Sequence, residues 1–252
     1  MLALKLGKSL PSNNAVNRDT YSLQFTGTEY LTLDGRWLGA PSTTSGSVSL
    51  WTKVSTMTSS GTLFRLRGDS DNYLQMLYHS ASNEMRFARR AEGGSETVVI
   101  TDAIENDGRW HHILATWADG QLKIYLDGAL KDTNTSATLS FGAIPAYFDI
   151  GQNTSGGSFY KGYVDEFAFF NGVIPVTQLL AADYIADQDV PTQPVNLTGM
   201  AGLVTYFQFN EGSGAVAVDS SGEEAFGSAD SIGTLVNSPT WTTDTILYQS
   251  LT

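Results

Sequence analysis

Few residues in this chain have the type and spacing that catalysis requires. His111 and His112 are adjacent in a predicted strand, so their side chains point to opposite faces and cannot share one metal ion. Asp165 and Glu166 are also strand neighbours that face opposite sides. His79 is remote in sequence, and we therefore do not expect a three-histidine zinc site.

Paired carboxylates for glycoside hydrolysis are missing as well. Retaining glycosidases hold two carboxyl groups about 5–5.5 Å apart, which alternating acids on one strand can achieve. The chain has no E-x-D-x-E or E-x-D-x-x-E pattern, and Gly93-Gly94 separates Glu92 from Glu96 in a predicted turn. It also lacks G-x-S-x-G and P-loop motifs. We predict that the protein is not an enzyme, with glycoside hydrolase the least favoured alternative.

Sugar binding is the chemistry that the side chains support better. Aromatic residues make up 11% of the chain. Those beside predicted turns are Tyr73, Tyr78, Phe159, Tyr160, Trp37 and Trp241. Flat rings dock sugars while amide, carboxylate and cationic groups bind hydroxyls, so we predict a ligand site at Asn153, Phe159, Tyr160 and Lys161. The alternative, that each aromatic residue belongs to the core or its rim, stays open.

Short strands must position these residues. Between Gly108 and Asp132, apolar and polar residues alternate on both sides of an Asp119-Gly120 turn, which predicts a β-hairpin. The predicted inward face comprises Trp110, either His112 or Ile113, Ala115, Trp117, Leu122, Ile124 and Leu126.

Further strands are predicted at regular spacing along the chain. They cover residues 21–25, 29–35, 46–54, 62–68, 72–80, 84–90, 96–103 and 202–210. Clusters of Gly, Asp, Asn and Ser separate them, as in antiparallel β-sandwiches and jelly rolls. One short helix is predicted over 176–187, with Thr177 as its cap and Pro191 and Pro194 beyond its end. Residues 1–20 match no strand and are interpreted as an arm.

Composition and charge limit the partners. The 252-residue chain has no cysteine, which excludes disulfides and thiolate metal sites. Its net charge is −12, and residues after Lys161 include 11 acidic residues and no basic one. Free nucleic acid is therefore not an expected partner. Six of the basic residues fall in one stretch of strands: Lys53, Arg65, Arg67, Arg86, Arg89 and Arg90. Acidic and basic faces could meet between copies in an oligomer, or both could be solvated surface.

The N-terminal segment does not fit a signal peptide. Lys5 and Lys8 interrupt its leucines, leaving no unbroken apolar run of about 7–15 residues. No segment approaches the roughly 18 apolar residues of a membrane span. We expect a protein that is made in the cytoplasm and leaves the cell, if at all, as part of an assembly.

Several motifs resemble one family. GRWHHILATWADGQLKIYLDG is similar to the central hairpin of laminin-G-like and pentraxin-like jelly rolls of the concanavalin A-like lectin/glucanase superfamily, usually G-x-W-H-H-V-A, then D-G, then YVDG. GYVDEF resembles the family's G-x-I-D-E-V, and SLQFTGTEYLTL its opening F-x-G-x-x-D-Y-V. GLVTYFQFNEGSG resembles L-V-x-Y-W-x-F-x-E-G-x-G.

The resemblance implies a fold and a domain organisation. The expected fold is all-β, an antiparallel concanavalin A-like jelly roll with one short helix. Its domain would span 21–252, after the 1–20 arm, and include the C-terminal strand and loop at 202–245. In many relatives the element that corresponds to 202–245 comes first in the sequence, whereas here it comes last. We favour the interpretation that it completes this sandwich; the alternative is that it begins a second copy of the domain.

The resemblance also implies calcium. Related sandwiches often hold this ion at one edge, and the matching motifs carry over Asp165 and Glu29 as metal ligands. Calcium requires six to eight hard oxygen ligands, some of which are backbone carbonyls. The alternative is that Asp165 anchors a turn by accepting hydrogen bonds from backbone amides.

Overall organisation suggests a setting for the domain. A single laminin-G-like domain with an arm, no export signal and segregated charge resembles virion proteins of tailed phages. We therefore predict a non-enzymatic virion surface or appendage protein, a capsid decoration or a tail or fibre component. It would form a homo-oligomer or contact other virion proteins, with adhesion to host cell-surface glycans as a second role. A free calcium-dependent lectin is the alternative.

Overall fold

Two antiparallel β-sheets form a sandwich, as predicted. The computed structural model describes residues 20–34, 44–91, 94–104, 107–118, 120–136, 147–153, 156–180, 195–221 and 232–246. The predicted arm therefore lies outside the described residues except for Thr20, and so does Trp37. The described residues contain no helix with the length and apolar character of a membrane span.

The first sheet runs in the order β10-β9-β8-β3-β12-β1-β16, with β13 also paired to β12. Its strands are β1 (Ser22–Phe25), β3 (Gly46–Val54), β8 (His111–Ala118), β9 (Gln121–Leu126), β10 (Ala129–Asn134), β12 (Gly162–Asn171), β13 (Leu203–Phe207) and β16 (Thr240–Thr242).

The second sheet runs in the order β14-β15-β2-β11-β4-β5-β6-β7. Its strands are β2 (Tyr30–Asp34), β4 (Gly61–Asp69), β5 (Asn72–His79), β6 (Glu84–Arg90), β7 (Thr97–Ala103), β11 (Tyr147–Ile150), β14 (Val216–Val218) and β15 (Ile232–Val236).

The predicted hairpin is formed by β8 and β9. Trp117 pairs with Leu122 and Ala118 with Gln121, while Gly120 has a positive φ of 76°, a conformation that glycine adopts without strain. Asp119 lies outside the described residues. Ile113, and not His112, faces the core, which settles the alternative left open by the sequence.

The main core fills the space between the sheets. Inward residues of both sheets, among them Leu23, Val48, Phe64, Phe87 and Phe148, are almost completely buried there. Trp110 is an exception to the predicted inward set. It packs with Trp51, Leu180 and Ile246 in a separate cluster, so its ring belongs to the outer layer of the first sheet.

The outer face of the first sheet carries this second apolar layer. Ala168 and Phe170 of β12 pack there against Ile174, Leu179 and Leu197. This explains why β12 reads as a nearly continuous apolar run: both of its faces are buried.

Only the start of the predicted helix can be compared with the structure. A 3₁₀ helix covers Val176–Gln178, and the remainder of the predicted segment beyond Leu180 lies outside the described residues. Its N-cap is Pro175, without a side-chain cap bond. Thr177 is therefore inside the turn and does not cap it, because the proline begins the turn two residues earlier.

The C-terminal strands contribute to both sheets. β13 pairs with β12 and β16 with β1 in the first sheet, while β15 pairs with β2 in the second. The predicted strand at 202–210 thus pairs with β12, which precedes it in the sequence, within the same sheet. The domain boundaries stay a prediction.

A glycine in β3 provides a test of core packing. A Cβ at Gly46 would clash with the ring of Trp117, its partner in register. We expect Gly46→Ala to lower the free energy of unfolding by about 1–3 kcal/mol through overpacking. Trp117→Phe should relieve part of this cost, so the double mutant should be more stable than the sum of the single changes by at least about 0.5 kcal/mol. Urea unfolding of the four proteins measures this coupling, and strict additivity would contradict the proposed clash.

Candidate functional site

The outer face of the second sheet carries a group of polar and aromatic side chains suited to ligand binding. Two rows of paired residues cross strands β11, β4 and β5. The first row is Tyr147, Arg67 and Tyr73, and the second is Asp149, Arg65 and Gln75. Their strand neighbours Phe148, Leu66 and Leu74 point into the core, so these six side chains point outward. We call this surface the Arg–Tyr face; it comprises Arg65, Arg67, Tyr73, Gln75, Tyr147 and Asp149.

The two arginines stack on the two tyrosines. Arg65 Cζ lies 4.1 Å from the centre of the Tyr73 ring, and Arg67 Cζ lies 5.1 Å from that of Tyr147. Cation–π attraction holds a guanidinium in such positions. Tyr147 is 52% exposed, whereas Tyr73 is buried. The Arg–Tyr face therefore offers solvent one open ring with a cation held beside it.

Hydrogen bonds fix the buried side of the face. The Tyr73 hydroxyl donates to Glu96 Oε2 at 2.5 Å, and Gln75 Nε2 donates to the same oxygen at 3.3 Å. Arg65 Nη1 donates to Gln75 Oε1 at 3.2 Å. Burial, together with the bond to Glu96, raises the pKa of Tyr73 to about 12. The phenol is therefore a hydrogen-bond donor at neutral pH.

Asp149 is the buried carboxylate of the face. It is 4% exposed and accepts a 2.9 Å hydrogen bond from Gln152 Nε2. Burial raises its pKa, an effect that hydrogen bonds from Thr32 and Gln152 and the charge of Arg67 oppose. Gln152 Oε1 is also buried and has no hydrogen-bond donor. An unsatisfied buried acceptor is costly.

The predicted ligand residues 153 and 159–161 form part of a separate loop. Asn153 accepts from Gly157 N at 3.1 Å and donates its own amide to Gly157 O at 3.1 Å, which closes the loop on itself. Lys161 is exposed, and its side chain lies over Gly27. Phe159 is half-buried and forms a bridge with Thr62.

Tyr160 does not share that surface. It is 0% exposed, and its hydroxyl lies 2.7 Å from Thr52 Oγ1 inside the main core. Burial raises its pKa, which the hydrogen bond to Thr52 opposes. Its ring contributes core packing, and only Asn153, Phe159 and Lys161 of the predicted set retain exposed surface.

The structure separates the two predicted metal ligands. Asp165 is buried on β12. The end of β1, at Phe25, pairs with Gly162, which is three residues before Asp165 on β12. Glu29 lies beyond that end, across the turn that leads into the second sheet. Three residues of strand span about 10 Å, so the register does not bring the carboxylates together.

Each of these carboxylates bonds to backbone amides. Glu29 Oε2 accepts from the amides of Thr26, Gly27 and Thr28 at 2.8, 3.0 and 3.1 Å, and Oε1 accepts from the Thr26 hydroxyl. Asp165 Oδ1 accepts from the Glu166 amide at 2.9 Å. Among the described residues, no three acidic or histidine side chains are grouped as metal ligands. Both predicted ligands are thus engaged with amides of their own chain segment, and calcium binding stays a prediction.

The histidines occupy structural positions. His111 Nδ1 lies 2.7 Å from Asp127 Oδ2 at the base of the hairpin. His112 points to the opposite face of β8 from His111, and its Nε2 lies 2.8 Å from Ser49 Oγ of β3. Both of these side chains are almost completely buried. Burial lowers the pKa of His112 to about 4. A Ser–His contact without solvent access cannot meet a substrate, so it serves packing.

Comparison with known proteins agrees with this architecture. A family model described as the concanavalin A-like lectin/glucanases superfamily matches residues 25–179. The chain belongs to this superfamily. No curated relative matches the concanavalin A-like chain in sequence.

Solved structures share the fold at low sequence identity. A Bacteroides ovatus protein, provisionally described as carbohydrate-binding, has a TM-score of 0.59 at 17% identity; the match covers 88% of this concanavalin A-like chain and 59% of that protein. The CBM40 of the Ruminococcus gnavus IT-sialidase, bound to α2,3-sialyllactose, has a TM-score of 0.50 at 12% identity, covering 66% and 95%.

Domain 4 of the arabinanase AbnA of Geobacillus stearothermophilus, in complex with arabinotriose, has a TM-score of 0.50 at 21% identity, covering 62% and 73%. The chain thus spans less than two thirds of the length of the Bacteroides protein. At these identities the likeness shows the fold.

Sequence reasoning missed most of the Arg–Tyr face. It noted the cluster of basic residues and Tyr73 but did not combine them. Alternation in RLR and YLQ places Arg65, Arg67, Tyr73 and Gln75 outward, and this signal was available. Tyr147 and Asp149 join them only because β11 inserts between β2 and β4, a crossover without a local sequence signal.

The Glu29 turn gives a pH-dependent test. Partial burial raises the pKa of Glu29, but hydrogen bonds from the Thr26 hydroxyl and the Thr28 and Thr26 amides outweigh it and lower the pKa to about 2. In the unfolded chain the pKa is about 4.3. The ionised group therefore stabilises the fold above about pH 4.5, and this contribution is lost as the pH falls toward 2.

We expect Glu29→Gln to unfold at lower urea concentration than the wild type at pH 7 and to approach it near pH 2. Urea unfolding at pH 7, 4 and 2.5 measures the difference. A deficit that stays constant across this range would contradict the role of the ionised carboxylate.

Proposed function

We propose that the chain is a non-catalytic carbohydrate-binding domain and that the Arg–Tyr face is its binding surface. The observation that carries the proposal is the half-exposed Tyr147 ring beside a stacked guanidinium and buried amide and carboxylate groups. Sugar binding needs this combination, because an apolar ring face packs on an aromatic plane while fixed polar groups bind hydroxyls.

The hydrogen-bonding capacity of the face suits a sugar. Asp149 is a carboxylate acceptor that Gln152 holds in place. The arginines supply donors and no acceptors. Sugar hydroxyls both donate and accept, so they can satisfy groups of both kinds on one surface.

The relatives support the same class of ligand. Two of the similar structures contain an oligosaccharide, sialyllactose or arabinotriose, and a third is provisionally described as carbohydrate-binding. Their identities of 12–21% support the fold only, so the proposal depends on the side chains of the Arg–Tyr face.

We infer that this binding is not coupled to hydrolysis. The two carboxylates near the face, Asp149 and Glu96, are both engaged with amide or hydroxyl donors. Strands β4, β5 and β6 lie between β11, which carries Asp149, and β7, which Glu96 precedes. Neither group is poised as an acid facing a nucleophile across one bond.

The setting proposed for the domain is the surface of a virion. The supporting feature is the charge asymmetry, with 11 acidic and no basic residues after Lys161, which suits docking between copies or onto other virion proteins. Mass spectrometry of purified particles would test it, and the protein's absence from them would contradict the location without affecting glycan binding.

Hydrolysis can be tested directly. We expect no new reducing ends when the protein is incubated with labelled polysaccharides, including arabinan and sialylated glycans, because no catalytic acid pair is in place. Sustained release of reducing ends, lost in Asp149→Asn, would contradict the non-catalytic assignment.

Tyr147→Ala tests the binding surface. We expect affinity for the best ligand of a glycan array to fall about fivefold, since the stacking contact contributes on the order of 1 kcal/mol. Isothermal titration measures the change. Leu130→Ala is the matched control because Leu130 is equally exposed, at 51%, on the edge strand β10 of the other sheet. Equal affinity of the two variants would place the site elsewhere.

A further inference from the structure

The aromatic rings of the Arg–Tyr face are largely occupied by guanidinium groups. Arg65 covers Tyr73, which retains 8% exposure, and Arg67 lies over Tyr147. A neutral sugar that binds mainly by stacking needs free ring faces. Here only the outer part of Tyr147 is available, so stacking can supply a limited part of the binding energy.

The stacked guanidinium groups are held in place before a ligand arrives. Arg65 is fixed by the Tyr73 ring and by Gln75, and Arg67 stands two residues along the same strand on the same face. A planar guanidinium stacked on a ring keeps its N–H groups in the plane, where they can bind a carboxylate in bidentate fashion. Preorganisation of this kind reduces the entropy cost of binding.

Arg65 lacks a carboxylate partner. It forms no ion pair with any described acidic residue, and its Nε is buried without a hydrogen-bond acceptor. Burial lowers the pKa of Arg65, although an arginine stays protonated at neutral pH. A partly desolvated cation without a counter-ion is destabilising, and a bound anion would remove that cost.

The nearby carboxylates accept hydrogen bonds from neutral groups, and Asp149 also lies within electrostatic range of Arg67. Asp149, opposite Arg65 in register, is bound by Gln152. Glu96 accepts from Tyr73 and Gln75; it lies within electrostatic range of Arg65 but is exposed, so solvent weakens its effect.

Two arginines of β6, next to the edge strand β7 of the same sheet, differ. Arg86 Nη2 lies 2.7 Å from Glu84, and Arg90 Nη2 lies 3.0 Å from Asp71. Among the described residues, Arg86 and Arg90 are thus paired with carboxylates, whereas Arg65 forms no ion pair.

From these contacts we infer that the Arg–Tyr face recognises an acidic sugar, with the sugar carboxylate bound by Arg65 and Arg67 and the ring against Tyr147. This inference rests on the proposed carbohydrate-binding function and names its ligand class. In a chain of net charge −12, an anionic ligand is attracted only where cations are concentrated, so the local arginines also set the specificity.

The experiment compares matched ligands that differ in the carboxylate. Trigalacturonic acid is titrated beside its methyl ester, and sialyllactose beside lactose, by isothermal titration calorimetry at 50 mM and 500 mM NaCl. A sulfated galacto-oligosaccharide forms a third arm. The proteins are the wild type, Arg65→Lys, Arg65→Gln and Arg86→Gln. Arg86→Gln is the control because Arg86 is a peripheral arginine already paired with Glu84. Circular dichroism and thermal unfolding verify that each variant is folded.

We expect at least one acid to bind tenfold or more tightly than its neutral counterpart, with weaker binding at high salt. Arg65→Gln should remove this preference, Arg65→Lys should reduce it because the bidentate geometry is lost, and Arg86→Gln should retain it.

Three results would overturn the inference. Equal binding of acid and neutral partner refutes the carboxylate contact while leaving carbohydrate binding intact. Binding of the sulfated ligand alone refutes the carboxylate assignment. An acid preference that survives Arg65→Gln places the contact elsewhere. If no ligand of the panel or of a broad glycan array binds the wild type, the proposed function itself fails.

Discussion

An aromatic cluster between the sheets supports the candidate site. Phe64 of β4, Phe148 of β11 and Phe167 of β12 contact one another with ring centres 5.4–6.3 Å apart. Because strand side chains alternate, burying Phe148 turns Tyr147 and Asp149 outward, and burying Phe64 does the same for Arg65. The rings thus hold β4 and β11 against the first sheet and keep their outer residues in register. A rigid scaffold of this kind can present stacked arginines without reorganisation when a ligand binds.

Acidic side chains bind backbone amides at two edge strands of the sandwich, β7 and β14. The amide of Ile100 on β7 donates to Asp132 Oδ2 of β10 at 3.1 Å, and the amide of Val218 on β14 donates to Glu211 Oε1 at 2.7 Å. Exposed edge strands are prone to pair with other chains, and a charged side chain bound to the edge amide opposes this. Such protection is relevant here because Ile100, Leu130, Val216 and Val218 are exposed at these edges.

The alternation of apolar and polar residues predicted most strands correctly. It did not predict which groups individual side chains contact. The β8–β9 hairpin formed as expected because alternation and a turn glycine are local signals. β10 was not predicted, since its exposed residues show no apolar alternation. Thr177 was predicted to cap a helix, but Pro175 occupies the N-cap position. Tyr160 was predicted to bind a ligand, but its ring is buried in the core. Glu29 matched a metal-ligand motif, yet its carboxylate bonds to the amides of its own turn. In each case the residue's actual contacts could not be predicted from the residue types alone.

Residue patterns along the chain were enough to identify the all-β class, the family, the outward or inward direction of side chains along most strands and the lack of a hydrolase motif. These follow from alternation, turn residues and local spacing, which are properties of neighbouring positions. The pairing of distant strands places Tyr147 and Asp149 beside Arg65 and Arg67, and it keeps Asp165 and Glu29 on different parts of the first sheet and its turn. Strand order across a sheet depends on how distant segments bury their apolar faces together. The site is therefore a product of the register between strands that are remote in the chain.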